Sequence, residues 1–258
     1  MGRVISITTP KGGEGKTTTA VNLAVALAQS GKRTLLIDLD ASGQCAPTLG
    51  LKSSNITGDL YDVLTFNKAF KTVIHKTFEH NLDFIPMRQL DYQSEVKLSK
   101  ITSDELILKS ILDSEIYSYN YIIFDCPPSL IGTTTNILMI ADSVIIPVRT
   151  ARYSLNEVVR VMKHIDLIKE KYNSKLKVEG ILLTMYEANT RAGFYTKKVL
   201  LKEFPNYLFQ YVIPKNVEVS ESTFHNLPII VFNPEAKASL AYRKLADELI
   251  SRNSVQII

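Results

Sequence analysis

The chain has 258 residues, 45% of them hydrophobic, and a formal net charge of +4, enough for one large α/β domain or two small ones around a substantial core. No apolar run approaches a membrane span, and the short apolar run at the N-terminus enters a glycine loop, so it does not read as a signal peptide. Two isolated cysteines, Cys45 and Cys126, and four scattered histidines exclude a disulfide framework and a zinc spacing; reduced, structural thiols suit a cytoplasmic protein.

Val4 to Ile7 reads as a short buried strand. Pro10-Lys11-Gly12-Gly13-Glu14-Gly15-Lys16-Thr17-Thr18-Thr19 follows, and then Ala20 to Ala28, a strong helix former. Strand, glycine loop and helix in that order are what a phosphate-binding loop requires. Gly12, Gly13 and Gly15 let the backbone approach an anion closely. The new helix offers free N–H groups and the positive end of its dipole. Lys16 would reach the outer phosphates and the Thr17 hydroxyl would coordinate Mg²⁺, with Thr18 completing the nucleotide-binding stretch. Glu14 is expected to point outward and lend only its N–H, because a carboxylate aimed at phosphates is unfavourable.

The first glycine of the simple pattern G-x-x-x-x-G-K-[ST] falls on Pro10, and a second lysine, Lys11, stands where that pattern needs none. The pair Lys11 and Lys16 resembles the deviant Walker A motif of the ParA/MinD ATPases. The resemblance implies that Lys11 reaches across a dimer to the partner's ATP.

Gly31 is a plausible cap for the loop helix, and Thr34 to Ile37 reads as a buried parallel strand. That strand ends in Asp38 and Asp40. Ligands of open α/β sheets sit beyond the carboxyl ends of strands, so both carboxylates should face the nucleotide. The stretch Asp38 to Gln44 is similar to the D-x-D-P-Q-G-N segment of ParA proteins, with Ala41, Ser42 and Gln44 as departures. The resemblance gives Asp40 a role in hydrolysis, switching and the metal site. Asp59 to Thr65 reads as a short helix, Leu82 to Pro86 as a strand and Ser103 to Leu112 as a helix. Residues 52 to 115 are taken as core and packing.

Tyr119 to Phe124 is a strand that ends in Asp125 and breaks at Pro127-Pro128, the form of a Walker B strand. Asp125 would hold Mg²⁺ directly or through water, so the metal set is Thr17, Asp40 and Asp125. Asp125-Cys126-Pro127-Pro128-Ser129-Leu130 closely resembles the corresponding ParA segment; Cys126 reads as a packed thiol. A helix ends across Ile137 to Ala141. Ser143 to Val148 is a strand, Leu155 to Lys171 a helix with one apolar stripe, and Gly180 to Met185 a strand. Tyr207 to Ile213 reads as one more strand. Pro214 and Asn216 after it match a family loop near the adenine. Ala236 to Ile250 is a closing helix, stopping at Ser251-Arg252-Asn253. Ser254 to Ile258 is too short for an amphipathic anchor, so no membrane anchor is expected, nor a separate helix-turn-helix before the first strand.

From Arg149 onward there are 17 Lys+Arg against 11 Asp+Glu. The surplus fits a polyanion surface or an ordinary solvated face. With the resemblance, Lys215, Lys237, Arg243 and Lys244 form a candidate DNA patch; Lys237 and Lys244, seven apart, share a helical face. Arg191, with Lys197 and Lys198, forms a second.

Alternating strands and helices from residue 1 to 258 predict a single doubly wound, mainly parallel α/β domain. The resemblance covers nearly the whole chain. It implies a small ParA/Soj-type partition ATPase using ATP and Mg²⁺. Its catalytic residues would be Lys11, Lys16, Asp40 and Asp125. It would form an ATP-dependent homodimer, bind DNA non-specifically and answer to a ParB-like centromere-binding protein, in a nucleoid-associated cytoplasmic setting. Two other readings remain open. One is a MinD-like or other cargo-positioning ATPase; the other is a nucleotide-gated regulator with little hydrolysis.

Overall fold

The computed structural model describes residues 2–104, 107–111, 118–151 and 154–254. In its first half it has β1 (Arg3–Ile7), α1 (Lys16–Gln29), β2 (Thr34–Asp38), α2 (Cys45–Thr48), α3 (Leu60–Leu64), β3 (His75–Lys76), β4 (Leu82–Ile85), α4 (Tyr92–Ile101) and α5 (Ile107–Ile111). β5 (Tyr121–Asp125), α6 (Thr133–Leu138), β6 (Ser143–Arg149), α7 (Ser154–Lys171), β7 (Lys177–Thr184), α8 (Arg191–Glu203), α9 (Val217–Phe224), α10 (Ile229–Phe232) and α11 (Lys237–Ser254) follow. The strands form one seven-stranded sheet in the order β3-β4-β2-β5-β1-β6-β7. All pairings are parallel except β3 with β4.

Alternation along each strand builds two cores. One face carries Val4, Leu35, Ile37, Ile122, Phe124 and Val144 and is covered by α3 to α7, with the α7 stripe Val158, Val161, Ile165 and Ile168 buried against it. The other carries Ile5, Ile7, Leu36, Phe84, Ile123 and Ile145 and is covered by α1 and α11. Helices on both faces explain why the central strands read as continuous apolar runs. α1 is buried almost all round, which is why its sequence is small and apolar with no polar stripe. It ends where Gly31 takes a left-handed φ of 75° and Lys32 N–H closes back to Leu27 O at 3.0 Å.

Three sequence expectations are corrected. Tyr207 to Ile213 is no strand. It touches β7 through an isolated bridge, Ile181 to Leu208, and a second bridge joins Tyr186 to Pro214 just beyond both segments. The Glu248 carboxylate takes the N–H groups of Gln210 and Tyr211 at 3.0 and 3.2 Å, breaking the ladder between them. Ser103 to Leu112 is not one helix. α4 runs up to Ile101, and the expected span contains only α5; Leu112 lies outside the described residues. The closing helix runs through Ser251, Arg252 and Asn253, because Arg252 pairs with Glu248 one turn back and donates to Glu179 O at 2.8 Å. The expected absence of an anchor concerns Ser254 to Ile258, and residues 255–258 lie outside the described residues. No helix among the described residues is long and apolar enough to cross a membrane.

Candidate nucleotide and metal site

β2, β5 and β1 lie side by side and parallel, so their carboxyl ends meet at one edge. Asp38 is the register partner of Asp125, and Asp125 of Ile7, the last residue of the strand that leads into the glycine loop. Strand pairing alone therefore brings both acidic segments beneath the loop.

Gly13 and Gly15 have φ values of 75° and 84°, which strain any residue with a Cβ. Gly15 caps α1 without a side-chain hydrogen bond, and the first turn holds no acidic residue. The N–H groups there are oriented for an anion. Lys16 is buried, and its Nζ donates to Lys11 O at 3.0 Å across the loop. Burial lowers its pKa, opposed by the charges of Asp125 and Asp40. The lysine thus already sits between the loop and the carboxylates. The Thr17 hydroxyl lies beside the Asp125 carboxylate.

Asp38 and Asp125 are almost fully buried. Asp38 accepts from the N–H of Asp40 at 2.9 Å and of Cys45 at 3.2 Å. The Cys45 thiol donates to Asp125 at 3.3 Å. Burial, then the neighbouring Asp125, raises the Asp38 pKa well above the usual carboxylate range. Burial pushes Asp125 up to about 6, with the neighbouring Thr17 hydroxyl, the Cys45 thiol and the charge of Lys16 acting the other way. A dry pair of carboxylates under a hydroxyl fits a hard divalent cation. Asp38, Cys45 and Asp125 offer ligand atoms within 4.8 Å of one another. Asp40 is only partly buried and accepts from Ser42 N–H at 2.9 Å. It opens on a cavity of about 780 Å³ lined by Glu95, Ser99, Pro127, Ile131 and Thr135 among others. So α4, taken from sequence as packing, forms a wall beside Asp40.

Glu14 does not point outward. It is 2% exposed. Its Oε2 accepts from Arg149 N–H at 2.7 Å. Its Oε1 lies 3.3 Å from Lys11 Nζ and 3.5 Å from Arg149 Nε. Its carbonyl accepts from the Thr184 hydroxyl at 2.9 Å. The expectation failed because it weighed repulsion from phosphates and not the cations and donors at the ends of β6 and β7. Arg149, Thr184 and Cys45 are the residues sequence reasoning missed. Arg149 ends β6, which lies beside β1, and Thr184 ends β7, the next strand out, the positions to search once the sheet order is known.

Pro214 bridges to Tyr186, two residues past Thr184, so its loop reaches the same edge. Asn216 caps α9 with its side-chain oxygen on Glu218 N–H at 2.9 Å. Several of the basic candidates have local partners. Lys215 pairs with Glu187 at 3.2 Å, Arg243 donates to Pro234 O at 2.7 Å, and Lys244 lies over the Tyr211 ring at 5.5 Å. Lys237 opens α11 and Arg191 opens α8, both exposed. Lys197 lies 5.7 Å over the Tyr186 ring.

A family model described as an AAA domain matches residues 2–178. The sporulation initiation inhibitor protein Soj of Bacillus subtilis is 39% identical over 249 residues, covering 96% of this chain and 98% of that protein. The chromosome partitioning protein ParA of Myxococcus xanthus is 37% identical, covering 98% of this chain and 90% of that protein. The chain belongs to the ParA/MinD family of P-loop ATPases. A solved structure of the septum site-determining protein MinD from Pyrococcus horikoshii, complexed with Mg-ADP, superposes with a TM-score of 0.76 at 25% identity, covering 96% of each chain. As a member of this family the protein is an ATPase, with ATP and Mg²⁺ as its cofactors. The mainly parallel seven-stranded sheet flanked by helices is the fold of the family.

Proposed function

We propose that this chain is a ParA-type partition ATPase, acting over residues 1–258 as a single ATPase domain, that segregates a plasmid, chromosome or similar replicon. The observation that carries the reading is the second loop lysine, Lys11, in a glycine loop that opens α1 above Asp38 and Asp125, which are in register. Residues Lys11 to Thr18 would bind the triphosphate, with Pro214 and Asn216 near the base. Thr17, Asp40 and Asp125 would hold Mg²⁺, which neutralises phosphate charge when bound. Lys16 would bind the outer phosphates of its own subunit. Lys11 would act on the nucleotide of the partner, so that two subunits close around two nucleotides. Asp40 would position the attacking water or the switch that holds it.

In this reading the ATP dimer binds DNA without reading sequence, a ParB-like centromere-binding partner triggers hydrolysis, and the protein resides on the nucleoid in the cytoplasm. The Myxococcus xanthus relative named as a chromosome partitioning protein supports it, as does the basic surplus after Arg149. Pairing two subunits doubles the basic face, so affinity for DNA should rise with ATP through avidity.

The test is binding to random duplexes with ATP, ADP or no nucleotide across a salt series. ATP should strengthen binding, salt should weaken it steeply, and Lys215→Ala or Lys237→Ala should flatten the salt slope by about one per lost phosphate contact. Sequence-specific binding, or none at low salt with ATP, would move the chain to a MinD-like or protein-cargo role. DNA binding with negligible phosphate release would favour the nucleotide-gated regulator.

A further inference from the structure

We infer that Glu14 is an intrachain counter-ion that stores Lys11 in the single subunit and sets the ATP threshold for pairing. The inference rests on the proposal that Lys11 acts on the partner's nucleotide. A carboxylate between the glycines of a phosphate loop is costly unless something holds it, since a buried charge needs a partner. Here three groups hold it. The Arg149 N–H at 2.7 Å is fixed by the end of β6. Arg149 Nε and Lys11 Nζ are cations at 3.5 and 3.3 Å from the same oxygen. The carboxylate is 3% exposed and cannot turn to water for its second oxygen, whereas the Lys11 side chain is 33% exposed and can leave.

Lys11 cannot serve Glu14 and a partner's phosphates together. Pairing of subunits must exchange one ion pair for the other, and the exchange is uphill by what the Lys11–Glu14 pair is worth. Arg149 makes the exchange possible. It stays on Glu14 through its backbone N–H and its guanidinium after Lys11 departs, so the buried carboxylate is never left without a donor. Glu14 is accordingly a positioning residue: it acts through Lys11 and sets when that lysine is free. The anchoring of Glu14 O by Thr184 at 2.9 Å keeps the loop backbone in place whichever cation the carboxylate holds.

The experiment is light scattering of the full chain, titrated with a non-hydrolysable ATP analogue and Mg²⁺, with ADP affinity measured by calorimetry as the reference for each variant. The quantity read is the ratio of analogue concentration at half-maximal pairing to the ADP dissociation constant. Damage to the loop moves both alike and leaves the ratio; a change in Lys11 storage moves the ratio. Glu14→Gln keeps the shape and an acceptor for Arg149 N–H but removes the charge, and should lower the ratio about threefold to tenfold, the range of one partly exposed ion pair per subunit. Arg149→Gln removes the cation that takes over the carboxylate and should raise the ratio. Its side chain is 44% exposed, so this variant carries the test if Glu14→Gln does not fold. An unchanged ratio in the variant that folds, or a shift of both variants in one direction, overturns the inference. Lys11→Ala separates the two levels. If it pairs and turns over like the parent, the partner-directed role of Lys11 fails. If it is inactive while Glu14→Gln keeps the parental ratio, only the storage role fails.

Discussion

Asp38 and Asp125 are register partners on adjacent parallel strands, and Cys45 hydrogen-bonds to both, through its N–H to Asp38 and its thiol to Asp125. Two carboxylates in a dry site repel each other and lose hydration. A proton or a divalent cation relieves both penalties, so the two compete for the same place. This competition sets the pH behaviour of the site.

Mg²⁺-dependent nucleotide affinity should fall as pH drops through about 6, where Asp125 takes up a proton. The metal-free fold should respond in the opposite sense. The folded pKa of Asp125 lies above the value of 3.8 for an unperturbed carboxyl, so the native state binds the proton more tightly than the unfolded chain. Its charge therefore costs stability above about pH 6, and the cost fades as pH falls through that value. Asp38, raised by burial and by Asp125, adds in the same direction. Calorimetric titration and urea unfolding between pH 5 and 7.5 should show the two opposite trends, and Asp125→Asn should flatten the Asp125 contribution to each.

Lys16→Ala should weaken Mg·ATP binding by about tenfold to a hundredfold, the range for losing a charge-assisted hydrogen bond at a water-poor site. The measurement is isothermal calorimetry. An affinity equal to the parent would remove Lys16 from its assigned place on the phosphates.

Asp40→Ala should bind ATP and pair, yet fail to turn over and stay paired. The Asp40 carboxylate accepts from Ser42 N–H within its own segment after β2 and opens on the cavity walled by α4, so the nucleotide cradle should survive its loss. Phosphate release and light scattering on one sample give the answer. Turnover at the parental rate would show that Asp40 neither positions water nor gates it.

Gly180→Ala should destabilise the fold by about 1–3 kcal/mol through overpacking. A Cβ at Gly180 would meet the buried Phe209 ring at 2.5 Å, and Phe209 is held from behind by Arg252, 4.4 Å over its face. Denaturant unfolding should show a lower midpoint with an unchanged slope. An unchanged midpoint would mean that the segment from Tyr207 to Ile213, which is not locked into the sheet by a ladder, gives way.

How much was legible follows from where the information lies. The loop, Asp38, Asp40 and Asp125 were readable because strand ends and glycine spacing are local signals, and parallel pairing places them together without further instruction. Tyr207 to Ile213 reads as a strand by composition, but Glu248 on a distant helix takes its N–H groups. α4 lacks a strong apolar stripe: Leu98 is its one fully buried residue among those described, so its role as a cavity wall is a tertiary fact. Glu14 was misread for the same reason. Its partners Arg149 and Thr184 are more than a hundred residues away in sequence and reach it because β6 pairs with β1 and β7 with β6.

The central claim is that two subunits complete each other's sites through Lys11. Lys11→Ala keeps its own phosphate cradle but offers no second lysine. Lys16→Ala offers Lys11 but holds its own nucleotide weakly and lacks the lysine contact to its outer phosphates. Phosphate release from an equimolar mixture of the two, measured against each alone, decides the matter. If Lys11 acts on the partner's nucleotide, each mixed pair contains one complete site and the mixture should hydrolyse ATP well above the sum of its parts. If Lys11 acts within its own subunit, no pairing restores a site and the mixture should show only that sum, which would contradict the account.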